Sequence, residues 1–149
     1  MNLSDLPTPA LVLDRRRLVS NARAMAARAK LHNIALRPHA KTAKSAEIAR
    51  LATEDGARSL TVSTLLEADY FLEHGFNDLL YAVCIAPDKI DMADALSNRG
   101  ANLKVILDNI EAALAISSHS GHHQVLLEID SGEHRTGISP ESAQLLDLA

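Results

Sequence analysis

SLTVSTLLEADYFLEHGFNDLLYAV, residues 59–83, reads as one complete strand, helix and strand. Residues 59–63 form a short run rich in β-favouring side chains. Residues 65–74 then recur at helical spacing, with Ala68, Phe71 and Leu72 inward, and Gly75 falls where a helix ends in the left-handed C′ conformation. A second apolar run over 78–83 supplies the next strand. This order is that of a right-handed βαβ unit in a parallel sheet.

The same pattern extends in both directions. Toward the N-terminus, 34–38 reads as the first buried strand, followed by a helix from 45 to 54 that Gly56 terminates. Before it, Pro7 and Pro9 introduce a short apolar strand over 10–13. Asp14 then suits the N-cap of a helix whose narrow stripe is Leu18, Ala22, Met25 and Ala29. Toward the C-terminus, Pro87 opens a helix with Ile90, Ala93 and Leu96 on one face, and Gly100 ends it before a strand over 103–107. A helix from Asn109 dissolves into SSHSGHH, a strand spans 124–129, and Ser139 and Pro140 open a last helix. Strands of about five residues at intervals of roughly 20 to 25 make about five βα units. Such a set is either the incomplete N-terminal portion of a (β/α)8 TIM-type barrel, which takes on the order of 250 residues, or a five-stranded, flavodoxin-like doubly wound sheet. Periodicity alone leaves both open.

Composition narrows the function. The chain has 149 residues, 47% hydrophobic, with two Phe, two Tyr and no Trp, so its core is aliphatic and it offers no row of aromatic stacking platforms. A net charge of −4 lacks the basic footprint of a phosphate-backbone binder, so no nucleic-acid partner is expected. Arg15, Arg16 and Arg17 read as a solvated helix face. No apolar run reaches spanning length and no signal peptide is visible, so no membrane partner is expected. The single cysteine, Cys84, fits a reducing cytoplasm and reads as a small buried hydrophobe.

In either architecture, chemistry belongs at the carboxyl ends of the strands. Those ends carry His39, Lys41, Thr42 and Lys44; Ser63, Thr64 and Glu67; Cys84; Asp108 and Asn109; and Asp130, Glu133, His134 and Arg135. A lysine ending a buried strand can present its amine to a carbonyl compound. Arg37, His39 and Lys41 share strand parity, so an extended chain through Lys41 would project all three to one side, where two cations disfavour protonation of the lysine. No GxGxxG or P-loop cradle and no GxSxG elbow occurs. His119, His122 and His123 lie in a loop at the opposite, amino end of a strand with no neighbouring Cys or carboxylate in sequence, and read as solvated.

Four segments carry a family resemblance: TPALVLD (8–14), RPHAKTAK (37–44), TVSTLLEAD (61–69) and EIDSGEHRTGI (128–138). Together they resemble the D-threonine aldolase and D-serine dehydratase-like enzymes of the alanine racemase-like, fold type III group. The resemblance implies a pyridoxal 5′-phosphate-binding barrel of which residues 1–149 are the N-terminal part. The rest of the barrel and a C-terminal β domain are expected to be missing from this chain, leaving an inactive fragment. By the same resemblance, Lys41 is the catalytic lysine that bonds covalently to the cofactor. His39 and Arg135 are cofactor contacts, Arg135 also meets the substrate carboxylate, and Glu67 and Asp130 support these groups. It implies a lyase acting on small D-β-hydroxy-α-amino acids, with retro-aldol cleavage to glycine and an aldehyde favoured. A dehydratase, a racemase or a non-catalytic cofactor binder are its alternatives. A divalent metal is implied for aldolase and dehydratase members, with no ligand for it in these residues, and a homodimer is compatible with the complete protein. One departure is Ala43, where relatives usually carry histidine.

Overall fold

The computed structural model describes residues 2–53 and 58–148. Four strands, β1 (Ser59–Val62), β2 (Asp78–Cys84), β3 (Asn102–Leu107) and β4 (Gln124–Leu127), form a parallel sheet in the order β1-β2-β3-β4. Between them lie α3 (Leu65–Glu73), α4 (Ile90–Asn98) and α5 (Ile110–Ser118); α1 (Arg15–Leu31) and α2 (Ala46–Ala52) precede the sheet and α6 (Gln144–Leu148) follows it. Strand order decides what periodicity left open. A flavodoxin-like sheet reverses direction at a switch point, whereas strands that pair in strict chain order are singly wound, as in a barrel wall. This α/β fold is a singly wound parallel wall of the kind that closes into a TIM-type barrel.

Helices α1, α2, α3 and α5 start where a side chain satisfies their first free amides. Asp14 accepts from Arg16 and Arg17, Ser45 from Ile48, Thr64 from Glu67, and Asn109 from Ala112. The core lies between the helices and one face of the sheet. There Leu60, Val62, Leu79 and Val105 meet Ala68, Phe71 and Ala93, all essentially inaccessible. Phe71 stands edge-on to Phe76 with centroids 5.8 Å apart. The other sheet face, reached by alternate residues, carries Ser59, Asp78, Lys104 and Gln124 at the amino end and Cys84, Asp108 and Glu128 at the carboxyl end.

Several sequence expectations need adjustment. The extended segment 10–13 joins no sheet, and Leu11 is 94% exposed. The segment 34–38 is not a strand either; only a bridge from His39 to Thr61 ties it parallel to β1. Thr61 N donates to Pro38 O and Ala40 N to Thr61 O. The next ladder bond toward the N-terminus would need the amide hydrogen of Pro38, which proline lacks. In α1 the buried stripe runs through Ala29 while Met25 faces out. The expected stop at Gly56 lies outside the described residues. The last helix begins only at Gln144, because the hydroxyls of Ser139 and Ser142 take up the Glu141 and Gln144 amides first. Among the described residues no helix is long and apolar enough to cross a membrane.

Candidate active site

The carboxyl ends of the strands hold two groups of polar side chains. The first surrounds Lys41. Residues 40–43 turn instead of continuing the extended chain, and Lys44 takes a left-handed conformation with φ of 46°. The expected projection of Arg37, His39 and Lys41 to one side is therefore not realised. Arg37 points to the amino end of the sheet, where its guanidinium meets the Asp78 carboxylate at 2.7 Å and the Asp78 carbonyl at 2.9 Å. Lys41 is exposed, and its amine has no hydrogen bond or ion pair among the described residues.

His39 is placed by the β1 bridge, and its Nδ1 accepts from the Lys41 backbone amide at 3.3 Å. That assignment puts the ring proton on Nε2. Desolvation, and then the charge of Lys41, pull the imidazole below its ordinary value against the opposing field of Glu67, which favours the neutral ring.

Glu67 is buried in the first turn of α3, not a solvated helix charge. Its Oε2 accepts from the Ser63 amide at 2.8 Å and the Ser63 hydroxyl at 3.2 Å. Oε1 has no hydrogen bond of good geometry, although the Lys44 ammonium stands 3.0 Å away as an ion pair. Burial pulls this carboxyl upward, but the Ser63 amide, Lys44 and the Ser63 hydroxyl outweigh it and hold it below the usual range.

The second group surrounds the loop after β4. Asp130 Oδ1 accepts from the amides of Gly132 and His134 at 2.9 and 3.1 Å, and Oδ2 meets His134 Nδ1 at 2.7 Å. Those amides and the imidazole keep the Asp130 carboxyl below its ordinary value. The loop closes through a bridge between Ile129 and Ile138 and a bond from Gly137 N to Asp108 Oδ2. Gly137 has φ of +91°, and a Cβ there would lie 2.8 Å from Asp130 N and 2.9 Å from Ile129 C, so only glycine fits. Arg135 rides on this anchored loop, exposed and with no partner among the described residues.

Cys84 is more than a small hydrophobe. Its thiol donates to Glu128 Oε2 at 3.0 Å, and Thr136 donates to Glu128 Oε1. Burial, with acceptors from Glu128 and Asp108, raises the thiol far above its ordinary value and keeps it protonated.

Lys41, His39 and Glu67 are thus brought to one neighbourhood, and Asp130 and Arg135 to another on the same rim. Sequence reasoning passed over Glu128, whose parity with Asp130 in EID was the available signal. It also missed the Arg37–Asp78–Lys104 pairing, which depends on register between separate strands.

A parallel, singly wound βα wall carries an unpaired lysine and an exposed arginine on its carboxyl rim, the layout of one side of a barrel. The chain matches the alanine racemase N-terminal domain over residues 13–149 and belongs to that family. It is 40% identical to D-threo-3-hydroxyaspartate dehydratase of Delftia sp. (strain HT23), over 97% of this chain and 39% of that protein. It is 36% identical to D-threonine aldolase of Arthrobacter sp., over 99% of this chain and 40% of that protein. The crystal structure of an alanine racemase-like protein from Idiomarina loihiensis superposes with a TM-score of 0.90 at 38% identity, covering 97% of this chain and 40% of that one. The chain therefore spans about two-fifths of the length of these relatives.

Proposed function

We propose that this chain supplies the lysine-bearing wall of a pyridoxal 5′-phosphate-dependent lyase that cleaves D-β-hydroxy-α-amino acids to glycine and an aldehyde. The observation that carries the reading is Lys41: an amine on the carboxyl rim with no internal partner, beside a histidine held toward its neutral form. The donor set fits the cofactor. An aldehyde needs an amine not already engaged in an ion pair, and Lys44, not Lys41, takes the Glu67 charge.

Lys41 would hold the cofactor through its ε-amine. When bound, pyridoxal phosphate supplies an electron sink for a bond broken at the substrate Cα. His39 sets the direction in which Lys41 leaves the bridge to β1, because its Nδ1 accepts from the Lys41 amide. Arg135 presents two parallel donors to the substrate carboxylate and so orients the amino acid. Asp130 keeps the Arg135 loop in shape through the Gly132 and His134 amides. Glu67 fixes Lys44 away from Lys41 and closes the first turn of α3.

A second reading is dehydration, with loss of the β-hydroxyl and of ammonia to give a keto acid. The 40% identity to a dehydratase supports it. The two differ in which bond at the substrate breaks, Cα–Cβ or Cα–H, and assays of D-threonine and D-threo-3-hydroxyaspartate separate them.

The test begins with the full chain, pyridoxal phosphate and borohydride, followed by peptide mapping. A reduced adduct on Lys41 is expected, and none in Lys41→Ala; label placed on another lysine overturns the assignment. In the complete protein that carries this chain, release of neither glycine with aldehyde nor ammonia with keto acid despite adduct formation would leave cofactor binding and remove the lyase.

A further inference from the structure

At the amino end of the sheet, away from the Lys41 rim, the loop between α5 and β4 packs against α4. His119, the residue that ends α5, directs Nε2 to Asp91 Oδ1 at 3.1 Å. Its Nδ1 accepts from the Gly121 amide at 3.0 Å and lies 3.2 Å from His123 Nε2. Asp94, one turn on from Asp91 in α4, uses Oδ2 to accept from Asn98 at 2.9 Å, which leaves Oδ1 toward the loop. One ligand atom each from Asp94, His119 and His123 lies within 4.8 Å of the others, and all three residues are half-buried. The carboxylates that the sequence around SSHSGHH lacks are therefore supplied by a different helix.

Three features suit a cation. In a tetrahedral site with metal–nitrogen bonds of about 2.0–2.1 Å, ligand atoms stand roughly 3.3 Å apart, close to the 3.2 Å between the two ring nitrogens. The Asp91 carboxylate sits against Nε2 of His119 and so favours the proton there, with Nδ1 turned toward His123, the arrangement of a carboxylate–histidine–metal triad; the Nδ1 lone pair now accepts from the Gly121 amide and passes to the cation when it binds. Gly121 has no side chain where one is excluded, since a Cβ there would overlap Asp94 Oδ1. Two imidazoles with one carboxylate select a borderline cation over magnesium or calcium, which take all-oxygen ligand sets.

We propose that Asp94, His119 and His123 form a divalent-cation site of the zinc class, with Asp91 as the positioning residue, which ties the α5–β4 loop to α4. Three protein ligands leave the fourth position to water. The site does not depend on the lyase reading.

Zinc uptake by the metal-stripped full chain tests this, read as the difference between wild type and variants so that any other metal in the protein cancels. His119→Gln and His123→Gln should each retain one equivalent of zinc fewer per chain after gel filtration, and the visible cobalt(II) spectrum of the site should vanish. Asp91→Asn should weaken zinc affinity by about 10- to 100-fold. Gly121→Ala, whose Cβ would overlap Asp94 Oδ1 and press on His119 Nδ1 at 3.1 Å, should weaken it at least about tenfold. His122→Gln, in the same loop but outside the cluster, should bind as wild type does. Unchanged stoichiometry in folded His119→Gln and His123→Gln, or an equal loss in His122→Gln, overturns the site. If either histidine variant fails to fold, wild-type affinity in Gly121→Ala and Asp91→Asn overturns it instead.

Discussion

Replacing Asp78 with asparagine removes one negative charge from the interior face of the sheet without changing its shape. Asp78 Oδ2 lies 2.7 Å from both Arg37 Nη2 and Ser59 Oγ, and Oδ1 lies 2.9 Å from Lys104 Nζ. The side chains of Asp78, Arg37 and Lys104 are 28%, 25% and 26% exposed. A neutral amide in place of the carboxylate would leave two partly buried cations facing each other with no counter-charge. Breaking a buried ion pair from one side costs about 3–5 kcal/mol, and with about a quarter of each side chain still wet the lower figure, about 3 kcal/mol, applies. At about 2–4 °C per kcal/mol that is a fall in Tm of roughly 6–12 °C near neutral pH.

The pH dependence follows from the same carboxyl. Desolvation pulls it up, but Arg37, Lys104 and Ser59 hold it well below its ordinary 3.8. A carboxyl whose folded value is depressed stabilises fully above its unfolded value and loses that contribution as pH falls through the folded one. The Tm gap between wild type and Asp78→Asn should therefore be constant above about pH 5 and narrow progressively below about pH 4. Differential scanning calorimetry across this range reads both effects, and Lys104→Met in the Asp78→Asn background should recover part of the loss. A gap under about 2 °C at neutral pH, or one that widens in acid, would refute the reasoning.

Other outcomes follow from the same geometry. Gly137→Ala must adopt a left-handed conformation and push on the backbone of Asp130 and Ile129, so it should cost about 2 kcal/mol or more by thermal denaturation; in the lyase proposed above it should also raise KM for the amino acid more than it lowers kcat, by disturbing the Arg135 loop. Cys84, held as a thiol, should react with iodoacetamide at pH 8 at least about tenfold more slowly than a free cysteine, and faster in Glu128→Gln, as mass spectrometry of the labelled peptide will read. Glu67→Gln keeps an acceptor for Ser63 but loses the Lys44 ion pair, a cost of about 1 kcal/mol by chemical denaturation because Lys44 is 61% exposed. Phe71→Ala empties the centre of the helix–sheet core and should cost about 3–5 kcal/mol in the same assay.

The elements nearest the quoted stretch were the most legible. Gly75 and the apolar runs on either side are local signals, and the observed β1, α3 and β2 follow them within a residue or two. The segment 34–38 misled because its apolar content reads as a strand, while the missing amide hydrogen of Pro38 stops the ladder after one bridge. The loop 119–123 read as solvated because its carboxylates come from α4, more than twenty residues earlier.

By itself the sequence determined the alternation of strands and helices from residue 59 onward and the family, since caps, glycine stops and motifs act over a few residues. Tertiary structure alone decided that the strands pair in chain order, that Arg37 goes to Asp78 and not to the side of Lys41, and that Asp94 faces His119 and His123. Those outcomes depend on register and on which way separate elements face, and both are fixed only when the helices bury their apolar stripes against the sheet.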